Sequence, residues 1–538
     1  MPGFENYEAY KYNMYANVSA NNDTRWATDD EMKSSLREIV INEHHYPSGG
    51  GIPLLSDGKV AFVDSSDTHS LIMGATGSKK SRLLCMPLLQ ILAKAGESII
   101  ATDPKGELYE RTSGILKKNG YKLVVLNFRN PSYGDAWDPL ALPYQFYKAG
   151  EKDKAAEALN DFVYCNLTSK SIDPFWEQAA GNFCFGLLWF LLECAREEEV
   201  NVRSLTYLRT YAKAFEYDGP LDELYSGLNK QSLAAISLSG TLNAADRTRS
   251  SILVTFDQMF RIFSAQQNLS EMLSHSTFNL DQIGLEKTAV FLIMPDEKST
   301  YHFLVSIFIK QCYELLIRVA QEQPDRTLPI RTNFVLDEFA SIPAVPDMPS
   351  MISAARSRNI RFSLVVQSEH QLRKKYLEDA QTIKGNCDNW VFLTSRELPL
   401  LQEISELCGR RKRIAAPGYD ELMPLISVSQ LQRLSKERGE ALVFHGRQYP
   451  YITLLADIDQ YEFENMASVP LQKRDKRPVP VFQLYSYLKR HSAEEVAGLF
   501  SDECMDMPAE EIETPEVDEI EISDEELEKR FDELFNIE

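Results

Sequence analysis

Along the first 130 residues, short unbroken apolar runs alternate with stretches in which apolar positions recur every three or four residues. Ser70–Met73, Ser98–Thr102 and Lys122–Leu126 are runs of the first kind, with the length of buried strands. Ser81–Lys94 and Leu108–Asn119 are of the second kind and predict the helices between them. This βαβαβ order predicts an α/β fold, a mostly parallel sheet covered by helices. Two short strands are expected within 51–66. In the polar N-terminal segment, 1–50, Thr28 with Glu31 three residues on predicts a capped helix.

From about 150 to 275 the strand pattern vanishes and helical spacing takes over. The most apolar run, Phe183 to Leu192, is too short to cross a membrane and is bounded by Asn182 and Glu193, so it reads as a buried helix. Trp176 reads as a core residue or a base-stacking one. Arg247 and Arg249 read as a solvated helix start or as phosphate contacts. Strand patterns resume at 288–295, then Phe334–Leu336, 360–368, 389–395, 441–447 and 451–457, with a long helix over Tyr301–Gln321. The domains expected are thus an all-helical insertion, 151–280, inside a domain split between 51–150 and 281–465. A Pro-interrupted linker with a short helix follows, 466–500.

Charge sharpens the ending. Residues 501–538 hold 17 acidic and two basic residues, a balance of −15 that leaves only −7 of the total −22 for the body. The segment is expected to be a disordered acidic tail, with Leu527, Phe531, Leu534 and Phe535 at helical spacing near its end. An acidic body gives no general electrostatic case for nucleic-acid binding. The basic run 409–413 is either a solvated turn or a local contact of that kind. Eight cysteines stand singly without a C-x-x-C pair, and the N-terminus has no basic stretch followed by an apolar one. Reduced thiols and a cytoplasmic location are expected.

The chemistry concentrates at two places. His69 to Leu84, HSLIMGATGSKKSRLL, is a strand, a small-residue loop and a helix start, the layout that surrounds nucleotide phosphates. The nucleotide-binding stretch is Gly74, Ala75, Thr76, Gly77, Ser78, Lys79, Lys80, Ser81 and Arg82. Lys80 is the phosphate lysine and Ser81 the magnesium hydroxyl. Lys79 occupies the place of the second glycine, where a lysine is expected to fit only with a negative φ. The second place is a buried strand ending in Asp337 and Glu338, carboxylates suited to holding Mg²⁺ and orienting a water. Gln367 ends another strand, a position from which a polar side chain can sense a γ-phosphate. Asp103 to Glu107, DPKGE, is either a ligand-edge segment or an ordinary turn.

HSLIMGATGSKKSR, ATDPKGELYERTSGILKKNGYKLVVLNFRNP with the following DPL, VLDEFASIPAVPDMPSMISAARSRNIRFSLVVQS, and ISELCG resemble the type IV secretion coupling proteins, the TraG/TraD-like conjugation ATPases. The resemblance runs from about Arg25 to Ala456. It implies a RecA-like P-loop NTPase with an inserted helical domain, using ATP and Mg²⁺. It further implies hexamers that deliver relaxase–single-stranded DNA complexes or protein substrates to a secretion channel. By position, Lys80 and Ser81 match the phosphate lysine and magnesium hydroxyl, Asp337 the metal-organising carboxylate, Glu338 the catalytic one and Gln367 the sensing glutamine. Members usually begin with membrane helices; this sequence shows none, so attachment at the inner face of the membrane is expected through a partner. Two alternatives stay open. One is a non-hydrolysing adaptor, suggested by Lys79; the other is a DNA-handling motor outside secretion.

Overall fold

A computed structural model describes residues 24–165, 174–213, 219–416 and 419–490. The expected acidic tail and its apolar end lie outside these residues. The capped helix is present as Asp29–Ser35, with Thr28 and Glu31 bonded reciprocally. It leads into three short strands, β1 (Arg37–Val40), β2 (Ile52–Ser56) and β3 (Val60–Asp64), which form a small antiparallel sheet. β1 is absent from the sequence expectation because only Ile39 in it is buried, leaving no apolar alternation to read.

Seven strands follow the predicted apolar runs: β4 (His69–Met73), β5 (Ser98–Asp103), β6 (Lys122–Asn127), β7 (Thr288–Ile293), β8 (Thr332–Leu336), β9 (Ile360–Val366) and β10 (Cys387–Phe392). They are parallel to one another. Burial on both faces explains their near-continuous apolar character. The basic run 409–413, read as a solvated turn or a local nucleic-acid contact, is no turn but lies mostly in a strand, β11 (Arg410–Ala416), paired antiparallel with β12 (Tyr419–Pro424). Finally β13 (Glu440–His445) and β14 (Tyr451–Leu454) add an antiparallel hairpin to the large sheet. The resulting nine-stranded order is β14-β13-β10-β4-β9-β8-β5-β7-β6. β4 is therefore interior, with the strand that ends at Gln367 directly beside it.

The helical insertion lies between β6 and β7, from the helix Ala141–Lys148 to the helix Gln267–Met272. Its core is aromatic: Phe162, Phe183, Phe190, Phe256, Phe260 and Phe263 are fully buried. The run Phe183–Leu192 lies inside the helix Phe175–Cys194 and is buried throughout. At Gly186 a Cβ would come 2.8 Å from Leu238 Cγ, so this close helix crossing needs glycine. Trp176 is half-buried against this core. Arg249 is neither a solvated helix start nor free to reach a phosphate: it is fully buried and paired with Asp222 at 3.0 Å.

The stretch expected as a linker is a strap bonded to both units. Tyr109 donates to the Val469 carbonyl at 2.9 Å. Arg474 pairs with buried Glu271 and donates to the carbonyls of Pro131, Gly134 and Asp135. The Phe482 amide then donates to Ser204 of the insertion. Prolines keep the strap extended, but its arginine and amide groups find partners that composition alone does not reveal. Among the described residues no helix is long and apolar enough to cross a membrane.

Candidate functional site

The loop after β4 is anchored on both sides. Gly74 donates its amide to the Val366 carbonyl of β9 at 3.2 Å, and Ala75 to that of Thr394 beyond β10 at 2.8 Å. A Cβ on Gly74 would come 2.5 Å from Ser78 Oγ and 3.2 Å from its Cβ, so a side chain there would displace Ser78 from the turn. Ser78 Oγ itself is buried without a partner. The loop then enters a helix whose first turn, Ser81–Cys85, is π-type. Pro87 follows in the second helical turn and removes a backbone donor there, which suits the wider turn.

Lys80 is buried, its Nζ donating to the carbonyls of Gly74 at 2.6 Å and Ala75 at 3.3 Å. Burial lowers its pKa, while Glu338 and Asp337 oppose that shift. Ser81 Oγ donates to Asp337 Oδ2 at 2.7 Å, joining the loop to the end of β8. Thr102 of β5 holds the Asp337 carbonyl from the other side, also at 2.7 Å. Burial raises the Asp337 and Glu338 carboxyls above their usual values. Glu338 sits at φ 56, in the left-handed region. Gln367 donates from Nε2 to Glu338, and Thr76 donates to Gln367 Oε1 at 2.7 Å. The chain Thr76–Gln367–Glu338 thus links loop, β9 and β8.

The DPKGE segment stands at the same edge. Asp103 is buried, accepts the Tyr109 amide at 2.9 Å and is pushed up to about 6 by burial. The Lys105 charge is close enough to act on Lys80, Asp337 and Glu338.

Two of the loop's basic residues behave differently from expectation or from their neighbours. Lys79 does not take a negative φ; it sits at φ 65, where a residue with a Cβ costs about 1–2 kcal/mol. Its Nζ is 2.9 Å from Glu437. Arg82 is held by Asp457 and by Asp459, the latter at 2.5 Å. None of these acids carries a sequence signal, since they flank an antiparallel hairpin more than 350 residues away.

Beside the loop opens a cleft of about 1010 Å³, lined by Thr76, Gly77, Gln367, Thr394 and the exposed cations Arg396, Arg433 and Lys436. It lies where the strands end, as ligand clefts do in open α/β sheets. Arg396 was findable by that rule, as it lies four residues past β10; Arg433 and Lys436 were not.

The donor set fits a metal–polyphosphate. A hydroxyl and a carboxylate 2.7 Å apart are hard oxygen ligands suited to Mg²⁺. A buried amine bonded only to loop carbonyls, with an orphaned hydroxyl beside it, suits an anion.

The sequence pattern of the type IV secretory system conjugative DNA transfer family matches residues 25–413. A conjugal transfer protein TraG of Escherichia coli is 23% identical over 435 residues, covering 74% of this chain. The chain spans only 65% of that relative's length. Among solved structures, the plasmid coupling protein TrwB in complex with the ATP analogue ADPNP is similar with a TM-score of 0.58 and 17% identity, over 84% of this chain and 98% of that one. TrwB in complex with ADP and Mg²⁺ gives a TM-score of 0.57 at 17% identity, over 84% and 97%. At such identity the likeness shows the fold alone: an α/β fold of the RecA-like kind, a mostly parallel sheet carrying a helical domain.

Proposed function

The chain belongs to the type IV secretory system conjugative DNA transfer family, and we propose that it is an ATP-dependent coupling protein. In this reading it brings single-stranded DNA–relaxase complexes or protein substrates to a secretion channel. The observation that carries it is the contact between Ser81 Oγ and Asp337 Oδ2, which brings the two halves of the motif together.

Residues 51–150 and 281–465 form the nucleotide-binding unit, and 151–280 the inserted helical one. The loop amides and Lys80 hold the ATP phosphates; Ser81 and Asp337 hold Mg²⁺. Bound Mg²⁺ supplies charge neutralisation on the phosphate oxygens. Glu338 orients the attacking water and takes its proton, and its raised pKa makes it a stronger base than an ordinary glutamate. Gln367 reports loop occupancy to Glu338 through the hydrogen bonds it already makes to both. The active form is a homo-hexamer, held at the inner face of the membrane by a partner.

A second reading, a scaffold that binds substrates without turnover, is favoured by the left-handed Lys79. An ATPase assay with single-stranded DNA titrated in separates them. Turnover that DNA stimulates and Glu338→Gln abolishes supports the motor; nucleotide binding without turnover supports the scaffold.

A further inference from the structure

The phosphate loop is gripped from a side that its motif does not include. β13 is antiparallel to β10, and β14 returns beside it with Glu440 paired to Leu454. The open end of this hairpin therefore faces the same sheet edge as the loop. The turn entering β13 carries Glu437, and the turn leaving β14 carries Asp457 and Asp459. Glu437 takes Lys79; Asp457 and Asp459 take Arg82. All three acids lie beyond residue 413, where the family match ends.

Lys79 stands at φ 65, close to the φ 76 of Gly77 two positions earlier. A glycine reaches that backbone region without penalty, whereas a lysine needs something to keep it there. Among the described residues the only ion-pair partner of Lys79 is Glu437, whose carboxyl Lys79 holds below its ordinary value. The lysine side chain is thus a tether that runs from the strained turn to the hairpin.

We propose that Glu437 is a positioning residue for the phosphate loop. By pairing with Lys79 it holds the left-handed turn that a glycine would adopt unaided, so the loop keeps its anion-binding shape with lysine in glycine's place. This rests on the nucleotide reading of the loop. Glu437 is exposed and Lys79 half-buried, so the pair's grip weakens as salt screens it. Arg82 gives a separate hold on the next turn, so loss of Glu437 loosens the loop without unfolding it.

The test is a titration of the full chain with a fluorescent ADP analogue. Glu437→Gln is expected to raise Kd about threefold at low salt. The difference should vanish near 1 M salt, where the Debye length is about 3 Å. Glu437→Asp, which keeps the charge, should recover most of the loss. In the Lys79→Gly background, whatever its own Kd, adding Glu437→Gln should change nothing. An unchanged Kd in Glu437→Gln overturns the proposal, as does an equal loss in the Lys79→Gly background. If the natural chain takes up no ADP, the nucleotide reading fails, and thermal unfolding then decides the positioning role. Glu437→Gln should lower the midpoint of the natural chain but not that of Lys79→Gly; equal lowering in both refutes the tether.

Discussion

Ser81 and Asp337 share a 2.7 Å hydrogen bond across a separation of 256 positions. The bond exists because β4 and β8 both flank β9 in a parallel sheet, which brings their carboxyl ends to one edge. A hydroxyl entering a helix and a carboxylate leaving a strand meet there with Lys80 between the loop carbonyls. The proposed nucleotide chemistry depends on that meeting.

Lys80 should be the principal charge contact for the nucleotide. A hydrogen bond to a charged group is worth about 1.5–3 kcal/mol, so Lys80→Ala is expected to weaken ATP binding about 10- to 100-fold and to abolish turnover. Calorimetric titration checks this beside Lys79→Ala. A large loss in Lys79→Ala with normal binding in Lys80→Ala would place the phosphate lysine one position earlier.

Glu338→Gln should bind ATP as the natural chain does and lose turnover by about 10²- to 10⁴-fold, the usual contribution of a general base. The base works only when ionised, and burial raises the Glu338 pKa. The rate should therefore fall as pH drops through a value above the ordinary glutamate range. A pH–rate profile whose acidic limb lies at the ordinary value would remove Glu338 from that role.

Lys79→Gly should be more stable. Relief of the left-handed turn is worth about 1–2 kcal/mol, and the extra freedom of glycine in the unfolded chain takes back about 0.5–1 kcal/mol. Loss of the Glu437 pair takes back up to about 1 kcal/mol more, so the net gain expected is small, below about 1.5 kcal/mol, read from urea unfolding, and hydrolysis should rise with it. A variant less stable and no faster would mean that the loop uses its extra lysine.

Asp138, buried in the segment after β6, is pushed up to about 8 by burial. Between pH 4 and pH 8 the folded protein keeps a proton that the unfolded chain has released, so stability falls as pH rises through that window. Asp138→Asn can still accept the Leu140 amide and should flatten the slope, gaining about 1–3 kcal/mol at pH 8 and less at pH 5. Unfolding curves at the two pH values measure it; parallel slopes for both proteins would show that Asp138 is ionised when folded.

Much of this architecture was legible in the chain. The strands β4, β5, β8 and β9 are apolar enough to be buried on both faces, so their runs could be read without knowing their neighbours. The positions of the loop after β4 and of Asp337, Glu338 and Gln367 at strand ends were legible for the same reason: each follows a strand, and its place is set by local order. β1 was not legible, because one buried residue in four makes no pattern. Nor was the strap, whose hold on the body comes from Arg474 and Glu271 meeting across 203 positions.

What the sequence by itself determined was the set of elements and the chemistry waiting at their ends. Periodicity and turn chemistry act over a few residues, and they suffice for that. Only the tertiary structure decided which ends meet. The order of strands puts Gln367 between Thr76 and Glu338. The reversal of direction at β13 brings Glu437 and Asp457 over the loop, and the backbone of Lys79 is left-handed in defiance of its side chain. A local preference of about 1–2 kcal/mol is small beside the burial of a nine-stranded sheet, so at Lys79 the packed whole overrules the residue.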